Sequence, residues 1–435
     1  MSLFFVCYFA VLNHPFFPVT TMPLTAVDGW IGFQPAALFF YVTLWIYVPL
    51  LPALITERRE LIRYAIAAAA LSVIGLAIFI FWPTTIPRPD IDWSLHPSVS
   101  FLKTIDASGN ACPSLHVAFA VFTSLGLERL LRQLHAGAMM RTVNFFWGAV
   151  IVYSTLAIKQ HVSIDALAGL LLGTAVAGAC FSTRPLLTVT LVTKFSALLL
   201  WFTGLPLPWA ILLFLSCDGF VAYNLFAPNS QWLCRVFTRF QTDQNEIWLT
   251  IDDGPDASDT PRLLELFDRH QAKVTFFLIG EHAARHPALV TEIHQRGHEI
   301  GHHTHTHPMA DFWCAFPRRV SRELDDALVV LAKSGVYPQR FRAPVGIKNF
   351  FLAGSLAARR LACVGWSVRS GDAFARDPDV VVNRIMKRVR PGDIVVVHEG
   401  DRLHPAVRVE AIARLLEAFS ARGIRCVIPT AAQLR

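Results

Sequence analysis

The chain has 435 residues, 54% of them hydrophobic and only 16% charged, with a mean hydropathy of +0.44, an average that excludes disorder and lies above that of soluble globular proteins. The average hides a step: residues 1–230 carry 11 Lys/Arg and 9 Asp/Glu, residues 231–435 carry 28 and 23, so a membrane half precedes a soluble half large enough to bury its own core. The net charge of +7 is scattered and the eight cysteines form no CxxC pair, so no nucleic-acid partner, disulfide framework or thiolate metal site is expected.

The N-terminus is apolar from Leu3 but has no basic leader and no small-residue cleavage site, so it reads as a retained first span. Apolar stretches near bilayer length occupy 3–19, 35–55, 64–82, 116–131, 143–158 and 166–181, which predicts an all-α bundle of six spans. Arg58, Arg59 and Arg63 follow the second, Arg129, Arg132 and Arg141 the fourth, and Arg184 with Lys194 the sixth. The positive-inside bias places these on the cytoplasmic side of a bacterial inner membrane and the polar connectors 83–113 and 159–163 outside. Residues 186–202 and 209–226 add one or two membrane segments, the first opposed by Lys194, which at the bilayer centre costs roughly 2.5–3.5 kcal/mol. Whether one or both cross leaves open the face on which the C-terminal half lies.

From Glu246 short apolar strands (IWLTI, KVTFFLI, IVVVH) alternate with amphipathic helices (PRLLELFDRH, PALVTEIHQR, VRVEAIARLLEAF), the rhythm of a parallel α/β sheet or barrel with its functional groups at the C-terminal strand ends. The expected domains are 1–183 in the membrane, 184–244 as a membrane-associated linker and 245–435 as the soluble domain.

Three pieces at predicted membrane edges carry chemistry: Pro87-Arg88-Pro89, Cys112-Pro113-Ser114-Leu115-His116 and His161-Val162-Ser163-Ile164-Asp165. Ser114 and His116 open a predicted helix, whose free N–H groups favour a phosphate. His161 and Asp165 are spaced i, i+4, so on a helix the carboxylate can orient a nucleophilic imidazole. Arg88 offers a guanidinium fork, and His116 can protonate a leaving oxygen. In this order, and separated by spans, RP, PSLH and HxxxD resemble the type 2 phosphatidic acid phosphatase superfamily, including its inositol-phosphoceramide-synthase-like branch, over roughly residues 35–182. The resemblance implies that Arg88 and Ser114 bind phosphate, His116 is the general acid, His161 forms a phosphohistidine held by Asp165, and no cofactor is needed. Two cations of the family pattern are replaced, by Phe81 and Thr155, and Lys159 is a candidate substitute charge.

In the soluble half, Thr250-Ile251-Asp252-Asp253-Gly254-Pro255 ends the first strand with adjacent carboxylates, able to give one oxygen to a metal and leave the other group as a base. Residues 298–307 hold five histidines. His298-Glu299-Ile300-Gly301-His302 matches the HExxH signature of zincin proteases, but that chemistry needs a continuous helix, and Gly297, Gly301 and Pro308 oppose one. His303 and His307 fit better as two ligands on a turn, which with Asp253 make a His2Asp site for a divalent metal, zinc by ligand type. Arg342-Ala343-Pro344-Val345-Gly346, Trp366, Asp372 and Val395-Val396-Val397-His398 follow.

That series resembles the NodB-homology polysaccharide deacetylases of carbohydrate esterase family 4, over roughly residues 245–430. The resemblance implies a distorted (β/α)7 barrel and metal-dependent N-deacetylation of an amino sugar. It assigns Asp252 as general base, Asp253, His303 and His307 as metal ligands, His398 as general acid, Arg342 as tether of Asp252 and Asp372 as orienter of His398. Pro344, Trp366 and Val396 fall on the substrate side, the last two as walls for the acyl methyl; His302 falls in support of the ligands, and His305 faces solvent or substrate. The whole reads as an integral membrane deacetylase fused to a phosphatase or phosphotransferase, with a lipid-linked or polymeric N-acylated amino sugar and a phosphorylated lipid as partners. The rival readings are an inert membrane anchor and the zincin protease.

Overall fold

Uncharged runs broken only at Pro and polar connectors fold as helices throughout the first half of this computed structural model, which describes residues 2–100, 109–182, 184–202 and 207–435. Part of the connector 83–113 therefore lies outside the described residues. The chain divides into two units, Met1–Asp218 and Gly219–Arg435.

In the first unit four helical stretches are long and apolar enough to cross a membrane: Pro35–Leu54, Arg58–Phe81, Ser163–Phe181 and Leu207–Phe226. Six were expected at other places. Ser2–Asn13 has only 12 residues and stops before Pro15, which disfavours helix in the residue ahead of it. Leu115–Gln133 has the length but carries Glu128, Arg129 and Arg132, and Ala138–Ala157 is diluted by Arg141 and Asn144. The fourth stretch, Leu207–Phe226, belongs to the region where one or two extra segments were left open.

Gly169 and Gly173, one helical turn apart, let Ser163–Phe181 lie against Leu115–Gln133: a Cβ at either would stand 2.3 Å from the Ser114 carbonyl oxygen or 2.4 Å from that of Ala118. That closeness joins the two polar helix starts, and the Ser114 amide donates to the Asp165 carbonyl at 3.0 Å. Two-residue strands β1 (Thr20–Thr21) and β2 (Thr84–Thr85) pair in parallel beside them.

The second unit is built on a parallel sheet of β3 (Val236–Phe237), β4 (Glu246–Asp252), β5 (Thr275–Leu278), β6 (Glu299–His302), β7 (Arg340–Phe341), β8 (Ala362–Val364), β9 (Val368–Arg369), β10 (Ile394–His398) and β11 (Arg425–Cys426), in the order β3-β8-β7-β6-β5-β4-β10-β9 with β11 on β4. β8 and β9 are separated by only three residues, one pairing with β7 and the other with β10, so the sheet curls round on itself through residues 362–369. This is the distorted barrel of the (β/α)7 type. Ile247, Leu249 and Ile251 face the surrounding helices, while Trp248, Thr250 and Asp252 alternate with them into the interior. The interior is tight: a Cβ on Gly301 would lie 2.5 Å from the Phe277 ring, so Gly301→Ala must displace that side chain.

The start of the second unit falls inside the stretch expected as linker. Val236–Phe237 is hydrogen-bonded to β8, and Lys348 Nζ, fully buried, donates to the carbonyls of Ala227 (2.6 Å) and Pro228 (2.8 Å). The HExxH segment is strand at Glu299–His302, not helix, which removes the zincin geometry. His298 packs on Phe267 and Phe276, and Glu299 accepts from Thr275 Oγ1 and Arg340 Nη1.

Candidate metal centre and phosphate site

Parallel pairing brings the C-terminal ends of β4, β6 and β10 to one rim, with His398 directly opposite Asp252. Just past β4, Asp253 adopts a left-handed conformation (φ 74°), as do Thr304 (63°) and His307 (55°) after β6. For non-glycine residues this costs of order 1–3 kcal/mol each and marks a rim shaped for something other than stability. The outcome is convergence: Asp253 Oδ1 lies 3.4 Å from His303 Nε2 and 3.2 Å from His307 Nε2.

These three residues fit a divalent cation. Asp253 Oδ1 is buried without a hydrogen-bond partner, which native structures rarely tolerate. His303 Nδ1 stands 2.8 Å from the Arg342 carbonyl, to which it donates, leaving the Nε2 lone pair toward Asp253. Burial, followed by the charge of His303, pushes His307 down to about 3, so it is the neutral, ligating imidazole at physiological pH. Burial opposes ionisation of Asp253, yet His303 and His307 hold its carboxyl well below the usual range.

Asp252, 3% exposed, accepts from Arg342 Nη1 at 2.7 Å. Arg342 is itself buried and otherwise fully occupied, donating to Thr250 Oγ1 and to the carbonyls of Val364 and Gly365, with its guanidinium 4.2 Å from the Phe277 ring centre. Trp366, half-buried, lies 5.7 Å from the same guanidinium; Val396 points inward level with Thr250; Pro344 is buried at the start of a turn in which Val345 has φ 46°. His302 serves the fold, with Nε2 on the Leu324 carbonyl. His305 does not face solvent: its Nδ1 is buried against Gly280.

His398 Nδ1 and backbone N–H both donate to Asp372, each at 2.8 Å. Burial disfavours the imidazolium, but the Asp372 carboxylate outweighs it, with help from Asp252 and Asp253, and raises His398 to about 9; Asp372 is lowered in turn. The sign follows: His398 holds its proton below about pH 9 and loses it, with the stability the pair contributes, as pH rises through that value. Asp372→Asn removes the largest raising cause. The alkaline limb of the pH–rate profile is therefore expected to move down by more than one pH unit, toward the ordinary histidine value near 6.5, which a kcat/KM profile measures; an unmoved limb rejects His398 as the titrating acid.

Sequence reading missed two residues here. Glu399, directly after His398, is buried, bonded to Thr260 Oγ1 (2.6 Å) and pressed on Gly254, where a Cβ would meet it at 1.8 Å; burial, with Asp259 and Asp256 behind it, pushes it up to about 8. Its adjacency to His398 was the available signal. Arg402 Nη1 reaches His307 Nδ1 at 3.1 Å from a loop with no pattern to read.

In the first unit His161 precedes its helix instead of lying on it: the helix begins at Ser163, and Asp165 Oδ2 caps it by accepting from Val162 N at 3.1 Å. Nevertheless, Asp165 Oδ2 sits 3.5 Å from His161 Nδ1, and the His161 ring centre lies 5.7 Å from that of His116. Ser114 is the buried N-cap of Leu115–Gln133, its Oγ accepting from Val117 N. Tyr41, unmarked by any sequence pattern, hydrogen-bonds His116 Nε2 at 2.7 Å. Arg88 is exposed on the connector. Lys159 Nζ donates to the carbonyls of Asp28 (3.2 Å) and Ile31 (2.5 Å).

The polysaccharide deacetylase family model matches residues 240–355 and the PAP2 superfamily model residues 60–189. A chitooligosaccharide deacetylase of Sinorhizobium fredii is 32% identical over 200 residues, 43% of this chain and 92% of its own length. A peptidoglycan-N-acetylglucosamine deacetylase of Bacillus cereus is 32% identical over 197 residues, 44% of this chain and 90% of its own. A solved peptidoglycan N-acetylglucosamine deacetylase structure, 28% identical, covers 44% of this chain and 88% of that one with a TM-score of 0.42.

Proposed function

The chain belongs to the polysaccharide deacetylase family through its second unit and carries a PAP2 superfamily domain in its first, and from that premise we propose a membrane-bound, zinc-dependent N-deacetylase of an amino-sugar glycolipid whose first unit transfers or hydrolyses phosphoryl groups through His161. The observation that carries the deacetylase is the meeting of Asp253, His303 and His307 beside a separate carboxylate, Asp252, and a carboxylate-bound imidazole, His398.

When bound by those three ligands, a divalent cation acidifies water and polarises a carbonyl; two histidines and one aspartate suit zinc. Asp252, held by Arg342, takes the proton of the attacking water, and the tetrahedral adduct collapses as His398 gives its proton to the departing amine. An amide leaves as an amine only when that proton arrives, which a histidine still protonated at neutral pH provides. Trp366 and Val396 are the expected walls for the acyl methyl.

In the first unit His161 attacks phosphorus, forming a P–N bond as the P–O bond breaks, and the leaving oxygen takes a proton from His116. Water or another hydroxyl then cleaves P–N. Relatives named for chitooligosaccharide and peptidoglycan N-acetylglucosamine support an N-acetylated sugar, and the four apolar helices with the PAP2 match support one that is lipid-linked.

The test is mass spectrometry of envelope lipids from cells making wild type, Asp252→Asn or His161→Ala. A glycolipid that gains an acyl mass with the first and retains or exchanges a phosphate-bearing group with the second is expected. A lipid profile moved only by Asp252→Asn reduces the first unit to an anchor. Free chitooligosaccharide deacetylated as fast as any lipid-linked sugar removes the glycolipid.

A further inference from the structure

Six buried side-chain atoms of the first unit lack a hydrogen-bond partner among the described residues, and four of them belong to one neighbourhood: Asn110 Nδ2, Gln160 Nε2, His161 Nδ1 and Asp165 Oδ1. Buried polar atoms are nearly always satisfied, so a cluster of orphans marks where an absent group belongs. Gln160 directly precedes His161 on its turn. Asn110 bridges to Thr84, whose Oγ1 accepts from Cys112 N two residues before Ser114, so it is built into the strand that delivers the Ser114–His116 helix start. Both amides are more than nine-tenths buried and both orphaned atoms are donors.

The cations of the family pattern are missing from this same neighbourhood. Phe81 stands where one would be and is 72% exposed; Thr155 replaces the other, buried, with its hydroxyl spent on the Val152 carbonyl. Lys159 is held by the carbonyls of Asp28 and Ile31. Arg88 is left to balance the anion. A phosphomonoester carries about −1.5 to −2 at neutral pH, and buried amides cannot neutralise a second charge; a phosphodiester carries one charge and still offers oxygens to uncharged donors.

We infer that Asn110 and Gln160 are anion donors of the first unit's site, uncharged stand-ins for the missing cations, and that the site is selective for a phosphodiester over a phosphomonoester. The inference rests on the phosphoryl-transfer reading above. It names the substrate class: a lipid whose phosphate is esterified on both sides, so the reaction releases or transfers a substituted phosphate.

The full chain in maltoside micelles is offered dioleoyl phosphatidylmethanol or dioleoyl phosphatidic acid, which differ by one methyl group and about one charge. Diacylglycerol is measured: the diacylglycerol O–P bond breaks, its oxygen takes a proton, and water ends as hydroxyl on methyl phosphate or inorganic phosphate. Wild type is expected to favour phosphatidylmethanol at least about tenfold in kcat/KM. Asn110→Ala and Gln160→Ala each raise KM about tenfold at little-changed kcat, and the nearly isosteric Gln160→Glu, which puts a carboxylate against the anion, raises it further.

Preference for phosphatidic acid, or a KM unmoved by all three substitutions, overturns this inference alone. Release from neither lipid, while N-acetyl hydrolysis proceeds, overturns the phosphoryl-transfer reading with it. If the alanine proteins unfold, the wild-type preference and Gln160→Glu still decide.

Discussion

Deacetylation by the Asp252→Asn protein is expected to run about a thousandfold slower than by the wild type, the middle of the range for a lost general base, with metal content unchanged. An asparagine oxygen can still accept from Arg342 Nη1, now 2.7 Å from Asp252 Oδ1, so the side chain stays in place but cannot take a proton from water. The ligands Asp253, His303 and His307 are untouched. The same change leaves the Arg342 guanidinium without its carboxylate, a loss of up to about 3–5 kcal/mol for a fully buried pair. Bonds to Thr250, Val364 and Gly365 remain, so the melting temperature should fall without loss of the fold. Acetate release, calorimetry and elemental analysis on one preparation separate the effects. Glu299→Gln is the contrast: Glu299 begins β6 and pairs with Arg340, so it is expected to lower stability and spare catalysis. Activity abolished by Glu299→Gln and kept by Asp252→Asn would falsify the deacetylase assignment.

Exhaustive chelation is expected to remove deacetylation altogether, and added zinc to restore it. Asp253, His303 and His307 crowd three metal-binding atoms within 4.8 Å, with Asp253 Oδ1 unpartnered, and a cation satisfies all three at once. Binding to the folded chain alone stabilises it, by about 2.7 kcal/mol when metal stands at 100 times its dissociation constant. The melting temperature should therefore rise on adding zinc to the stripped protein. In His307→Ala both the activity and that rise should be lost, because two remaining ligands hold zinc poorly. Full turnover by a preparation shown by elemental analysis to be free of metal rejects the site.

Much of this was legible one segment at a time. Asp252-Asp253 before a Gly-Pro turn, VVV before His398, and RP, PSLH and HxxxD at apolar boundaries are short-range patterns, and hydrophobic periodicity is a local property of the chain. The same periodicity overcounted spans, because Leu115–Gln133 reads as apolar on most faces while Glu128 pairs with Arg132 and Arg141 at its end. It also left HExxH and the His303/His307 pair as competing readings of ten residues. Parallel pairing of Glu299–His302 with β5 decided between them: strand alternation buries His298 among phenylalanines, and the left-handed turns at Thr304 and His307 bring the other pair round to Asp253.

By itself, the sequence determined which residue types could do chemistry and in what order, since composition and spacing are covalent facts. Tertiary structure alone decided what those residues meet. Tyr41 reaches His116 across 75 positions, Arg342 reaches Asp252 across 90, and Arg402 reaches His307 across 95. Asn110 and Gln160 show nothing in sequence that separates them from surface amides; only burial without a partner does. Such contacts join segments that no local period relates, and the free energy of burying a polar atom depends on what surrounds it in space, which packing settles after the elements have formed.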